Sequence, residues 1–232
     1  MEGAKVKSVD RRGTHLVANL DNGELLVLHL GEKGHLEKVA PRSTPPKGTM
    51  LTLSFTQGGQ MRLVDPGGTS EAFVVAVGEV AVEAPELAGL GLDPVADPVS
   101  WTSFARLLLG RNVKLKTLLQ DQEVVAGIGP IYSDEILWEA GLRHDRTSSE
   151  LSSQEIRRLF RALVETLHEA IKHRGSDVDD YPFVDLYGKP GEHQGELRVY
   201  GREGEPCRRC RAPIAKARLA NKPLYYCEAC QV

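Results

Sequence analysis

The chain has 232 residues, 41% of them hydrophobic, with 29 Lys and Arg against 32 Asp and Glu and a formal net charge of −3. That length holds one large domain or two with an appendage, and the composition is that of a folded protein with real cores, which excludes a disordered or fibrous chain. No stretch approaches the length of a membrane span and the opening MEGAKVKSVDRRG has no apolar signal core, so a cytoplasmic protein with no membrane partner is expected.

Residues 5–76 read as β-rich. THLVANL, ELLVLHLG, TMLTLSF, QMRLVD and EAFVVAV are short runs of Val, Leu, Phe and Thr, separated by turn signals at Asp21-Asn22-Gly23 and Gly58-Gly59. The pattern predicts hairpins; it does not give the order of strands in the sheet. From Leu63 to Ala105 there is no Lys or Arg, and Glu79, Glu83, Glu86, Asp93 and Asp97 fall among Pro and Gly. The stretch 77–100 therefore reads as a connector, with room for a short helix at 84–89.

Residues 101–175 read as helical. SWTSFARLLLGRNVKLKTLLQD offers Ser100 or Thr102 as a cap, and PIYSDEILWEAGL puts Ile131, Ile136, Leu137 and Ala140 on one face behind a Pro130 suited to a first turn. The clearest helix is 153–173, capped by Ser152 or Ser153. Its apolar stripe is Ile156, Leu159, Phe160, Leu163, Val164, Leu167, Ala170 and Ile171, with Lys172, His173 and Arg174 at its negative end and Gly175 beyond. His168 and His173 are expected to face solvent or cap. Between the helices, VVAGIGP at 124–130 places two glycines at a helix start, where a backbone can come close to a phosphate; tight helix packing explains the same spacing equally well. Residues 176–200 show no period and read as a long loop of the kind that is functional or flexible.

The four cysteines fall in CRRCRAPIAKARLANKPLYYCEAC. Cys207 and Cys210, then Cys227 and Cys230, give two C-x2-C knuckles separated by a stretch long enough for a hairpin, the pattern of one structural Zn2+. Two disulfides are the competing use of the same cysteines, and nothing else in the chain suggests export. From Arg198 to Val232 the charge is +5, and a zinc tetrathiolate contributes −2, which leaves +3 on a chain that nets −3. A focused basic patch of this kind attracts polyanions; a zinc ribbon that docks protein is the alternative.

Taken together, these segments resemble the formamidopyrimidine-DNA glycosylase/endonuclease VIII (Fpg/Nei) family of base-excision repair, from about residue 2 to residue 232. LLQDQEVVAGIGPIYSDEILWEAGL resembles that family's helix–two-turn–helix. VDLYGKPG, VYGREGEPCRRC and YYCEACQ resemble its flexible loop and zinc finger, and SVDRRGTHLVANLDNGELLVLHLG the later strands of its β-sandwich. The resemblance implies an α+β multidomain fold. Its parts are an incomplete β-sandwich at 1–76, the connector, a helical domain at 101–175, a flexible loop at 176–200 and a zinc-finger hairpin at 201–232. It implies double-stranded DNA, damaged or abasic, as partner, and a bacterial, nucleoid-associated location. Lys116, Gly127, Gly129, Tyr132 and Lys222 match family positions at the DNA grip; an ordinary surface Lys and a packed Tyr are the competing readings of Lys116 and Tyr132. Family chemistry is bifunctional, glycosylase and AP lyase. The target base is flipped out of the stack, and an N-terminal proline amine forms a Schiff base at the sugar, a neighbouring glutamate serving as acid/base.

The departures from that pattern are systematic. The chain begins Met1-Glu2-Gly3, with no counterpart to the family's Pro-Glu segment and first helix, and the Met1 amine with Glu2 is a poor substitute. The family's phosphate-reaching lysine after Arg-Arg-Gly is Thr14. The methionine wedge of LGMxG is Glu32, and the arginine and phenylalanine wedges of VDPRxFG are Gly67 and Thr69. The asparagine after the glycine turn is Pro130, and the zinc-finger arginine is Lys222. A wedge has to be apolar and large enough to replace a base in the stack, which Glu, Gly and Thr are not. No catalytic residue is therefore expected in this chain, and a DNA-binding relative without glycosylase or lyase activity is the preferred reading. A fragment or mis-started copy of an active enzyme for oxidised purines, and a zinc-containing protein-interaction module, are the alternatives. A monomer or weak dimer through exposed sandwich surface is expected.

Overall fold

The structure is a computed structural model that describes all 232 residues. The chain forms two compact units, Met1–Gly89 with Lys172–Gly195 and Leu90–Ile171 with Glu196–Val232.

In the first unit, β1 (Val6–Arg12), β2 (His15–Leu20), β3 (Glu24–His29) and β7 (Glu71–Ala76) form an antiparallel sheet in the order β1-β2-β3-β7. β4 (His35–Val39), β5 (Thr49–Ser54) and β6 (Gln60–Val64) form a second sheet in the order β4-β6-β5. β3 is central and buries Leu25 to Leu28 in an unbroken run, as a strand covered on both faces must. One of its faces joins Val17, Leu25, Val27 and Val75, against which Val80 and Leu87 pack from two one-turn helices, α1 (Val80–Glu83) and α2 (Pro85–Ala88). The expected helix at 84–89 is α2. Two strands, β1 and β4, lie outside the apolar runs of the sequence. Both are edge strands, and VKSVDRR and HLEKV carry the charges that edges use to stay soluble.

The second unit is built on α3 (Trp101–Leu109), α4 (Leu115–Gln120), α5 (Pro130–Ala140) and α6 (Ser153–Lys172). Ser100 caps α3 by accepting the Ser103 N–H at 3.1 Å, and Gly110 separates α3 from α4. Ser152 and Glu155 form a reciprocal capping box on α6: the Ser152 N–H donates to Glu155 Oε2 (2.8 Å) and the Glu155 N–H to Ser152 Oγ (3.3 Å). The core joins Phe104, Leu108, Leu119, Ile136, Leu137 and Leu163. Burying each such side chain stabilises the unit by about 1.5–3 kcal/mol. The α6 stripe is narrower than its sequence suggests, because Val164 and Ile171 are exposed and Ala162 is buried in their stead. α6 stops at Lys172, and Arg174 and Gly175 both take left-handed backbone (φ 58° and 81°). β8 (Ala215–Leu219) and β9 (Lys222–Tyr226) form the hairpin between the knuckles, joined by Ala220 and Asn221, both at positive φ, as a two-residue I′ turn demands.

Candidate nucleic-acid interface

The turn between α4 and α5 is fixed by one side chain. The Gly127 N–H donates to Gln122 Oε1 (2.8 Å), while Gln122 Nε2 donates to the carbonyls of Gln120 and Ile128 (both 3.0 Å). Gly127 has φ +89°, where a glycine is required. Gly129 is different. Its φ is −108°, open to any residue, and a Cβ built there meets nothing within 4 Å. No feature of the chain itself asks for glycine at 129. Pro130 opens α5, and Tyr132 is half-buried against the helical core.

Lys116 is buried, 2% exposed, and is not a surface cation. Its Nζ donates to Asp134 Oδ1 (2.7 Å) and to the Pro130 carbonyl (2.9 Å). Asp134 Oδ2 accepts the Tyr225 N–H of β9 (3.0 Å). The next residue, Glu135, is also buried, and it accepts three successive backbone N–H groups, those of Arg198, Val199 and Tyr200 (2.7, 3.0 and 2.9 Å). Burial pushes both carboxyls up, that of Asp134 to about 7 against the pull of Lys116, and burial pulls the Lys116 ammonium down. α5 thus meets the zinc module through two charged side chains inside a helix buried on almost every side.

In that module all four cysteine sulfurs lie within 4.8 Å of one another, with Cys207 and Cys230 at 3.9 Å and Cys210 and Cys227 at 3.4 Å. Four thiolates around zinc at about 2.3 Å sit about 3.8 Å apart, whereas a disulfide needs about 2.05 Å. The donor set fits one structural Zn2+, and the disulfide alternative is set aside. Trp138 Nε1 and the Arg209 N–H both donate to Cys207 Sγ (3.4 Å each), the kind of outer contact that steadies a metal thiolate. The Arg209 guanidinium lies 3.9 Å from the Trp138 ring centroid and donates to the carbonyls of Trp138 and Glu139. Gln231 closes the second knuckle by accepting the Cys227 N–H (2.8 Å) and donating to the Leu142 carbonyl (2.9 Å). Lys222, Arg218, Arg211 and Arg208 remain exposed on this module.

In the first unit, the turn at 30–34 packs against the turn at 65–70. Asp65 is buried and accepts the N–H groups of Gly67, Thr69 and Ser70. Burial pushes its carboxyl up, and these donors outweigh it, holding the group at about 2. Ser70 Oγ donates to the Leu30 carbonyl (2.7 Å), and the Glu32 N–H to Thr69 Oγ1 (3.2 Å). A Cβ at Gly31 would collide with that same oxygen, so glycine is what admits the contact. Glu32 and Thr69 are therefore neighbours on an exposed surface, and Thr14 is exposed on the β1–β2 turn.

Sequence reasoning names the four cysteines, Lys116, Gly127, Gly129, Tyr132 and Lys222, counts Arg209 only as one of the module's cations, and misses Gln122, Asp134 and Glu135. The signal for the carboxylates is an Asp-Glu pair set directly against the apolar run Ile136-Leu137-Trp138. Gln122 and Arg209 carry no such signal, because their partners are backbone groups fixed only by the fold.

Comparison with known proteins converges on one group. Residues 1–70 match the formamidopyrimidine-DNA glycosylase N-terminal domain, 90–181 the formamidopyrimidine-DNA glycosylase H2TH domain, and 204–232 the zinc finger found in FPG and IleRS. The chain is 36% identical to the formamidopyrimidine-DNA glycosylase of Herpetosiphon aurantiacus, over 98% of this chain and 81% of that one. To that of Geobacillus kaustophilus it is 38% identical, over 100% and 83%. The Fpg crystal structure from Thermus thermophilus superposes with a TM-score of 0.90 at 36% identity, covering 99% of this chain and 84% of that one. The Lactococcus lactis Fpg, in complex with DNA containing an abasic site, gives 0.89 at 29% identity, covering 99% and 83%.

Proposed function

Because the chain belongs to the formamidopyrimidine-DNA glycosylase family, we propose that it binds double-stranded DNA through its second unit and, in this form, neither excises a base nor cuts the strand. The grip is the α5 N-terminus behind Gly127 and Gly129, with Tyr132 beside it and Lys222 on the zinc hairpin. The turn offers backbone N–H groups and the positive end of a helix to a phosphate, and the hairpin adds exposed cations. Lys116 contributes from behind the surface, by holding the Pro130 carbonyl. Association with the nucleoid follows from duplex binding.

The observation that carries the non-catalytic part is Glu32 beside Thr69. These are the positions at which the family resemblance places two of the three wedges. A carboxylate there cannot stack in the gap left by a flipped base, and it repels the phosphates that flank the gap. Gly67 and Thr14 extend the same trend. The zinc is structural. Cys207, Cys210, Cys227 and Cys230 supply all four donors, leaving no position for a reacting water, and the metal's contribution is to hold the hairpin.

The test is a duplex carrying an abasic site, offered with borohydride. The expected result is salt-sensitive binding with no covalent adduct and no strand cleavage. A trapped Schiff base, or release of an oxidised purine, overturns the non-catalytic part; no duplex binding at low salt overturns the grip.

A further inference from the structure

Asp134 touches two elements that the DNA grip needs in fixed register. Through Oδ1 it holds Lys116, whose Nζ also holds the Pro130 carbonyl at the glycine turn (2.7 and 2.9 Å). Through Oδ2 it holds the Tyr225 N–H on β9 (3.0 Å), three residues after Lys222 on the same strand. Asp134 is 1% exposed and Lys116 2%, so neither reaches a ligand. The other bonds named between α5 and the zinc module lie elsewhere on it: Glu135 takes the backbone at 198–200, Trp138 donates to Cys207 Sγ, and Arg209 takes the carbonyls and the Glu139 carboxylate at the far end of α5. Of these polar links, the one to β9 is the Asp134 carboxylate.

We propose that Asp134, with Lys116, is a positioning residue that sets the spacing between the phosphate-facing turn of α5 and the hairpin cation Lys222, so that both engage one duplex at once. This rests on the DNA grip proposed above and names the device that makes it a single rigid surface. A carboxylate is needed because it is acceptor-only and meets two donors. An asparagine at 134 turns its NH2 toward either the Lys116 ammonium or the Tyr225 N–H, and one link is lost. The geometric consequence is loss of the hairpin contact without loss of the metal.

The experiment measures duplex binding against salt for the zinc-loaded full chain, wild type and variants. The slope of log K against log salt counts phosphates engaged and does not depend on the fraction of protein that is folded, so a merely destabilised variant keeps the wild-type slope. Asp134→Asn is expected to keep one zinc, to bind about tenfold more weakly and to lose about 1 from the magnitude of the slope. Lys222→Gln is expected to lose the same, and the double variant no more than either single one. If Asp134→Asn does not fold, Lys116→Met with Asp134→Leu fills the same space without charge. A reduced slope in that protein supports the proposal, and a wild-type slope in either variant overturns it. A wild-type chain that ignores duplex DNA removes the grip itself, a result distinct from equal slopes, which remove only the role of Asp134.

Discussion

The indole N–H of Trp138 donates to Cys207 Sγ at 3.4 Å while the Arg209 guanidinium covers the same ring at 3.9 Å. One aromatic side chain of α5 thus links the helical core to the metal centre. Replacing Trp138 with Phe keeps much of the packing and removes the donor. Zinc affinity is expected to fall about tenfold, at the low end for an outer-shell contact, as read by competition with a chromophoric chelator. Complete removal of zinc is expected to expose roughly the last thirty residues to protease, since in small metal modules metal binding energy is folding energy. A hairpin that stays protected without metal contradicts the structural role.

Asp65 gives the first unit a defined response to acid. Its carboxyl stands at about 2, below its ordinary 3.8, because the N–H groups of Ser70, Gly67 and Thr69 outweigh burial. A carboxyl depressed in the folded state adds stability that is complete above the unfolded value and is lost as pH falls through the folded one. Asp65→Asn should therefore cost about 2 kcal/mol at pH 7, with the difference from wild type shrinking between about pH 4 and pH 2. Amide exchange in β6 and β7 reports it without involving the zinc module. A cost that does not change with pH would show that the donors do not read the charge.

Much of this is legible in the sequence, and the exceptions have physical reasons. The apolar runs mark β2, β3, β5, β6 and β7, and the C-x2-C spacing marks the zinc site, because both depend on residue type at short range. β1 and β4 carry no apolar run because VKSVDRR and HLEKV are rich in charge, the form two of the four edge strands take here, while the edges β5 and β7 stay apolar. Period alone places Val164 and Ile171 in the core, whereas the neighbours of α6 reach only as far round as Ala162 and Leu163. The buried Lys116–Asp134 pair is not legible, since a lysine eighteen residues from an aspartate has no local mark that distinguishes it from two surface charges.

Glu32 offers a gain-of-affinity test of the non-catalytic reading. If its carboxylate faces the phosphates beside a lesion, Glu32→Met removes a repulsion and supplies an apolar wedge. Affinity for abasic duplex is expected to rise about threefold or more at low salt, with the gain narrowing as salt screens the charge. Affinity for intact duplex should change less, because only the lesion leaves a gap to fill. An unchanged preference between the two duplexes would place Glu32 away from the DNA.

Gly129 separates folding from binding at the grip. Gly127 has φ +89° and cannot take a side chain without strain, so Gly127→Ala should lower stability by about 1 kcal/mol or more and weaken binding only through that loss. At Gly129 the backbone is permissive, and an added Cβ points into open space. Gly129→Ala is therefore expected to leave the melting temperature unchanged or slightly raised, since alanine restricts the unfolded chain. If a phosphate sits against the α5 N-terminus, that methyl group occupies the approach and duplex affinity should fall about tenfold, the scale of one displaced charge-assisted contact. The two alanines thus separate the two roles: at 127 any loss of binding follows lost stability, and at 129 binding falls while stability holds. A Gly129→Ala protein that binds duplex as tightly as wild type would move the interface off this turn.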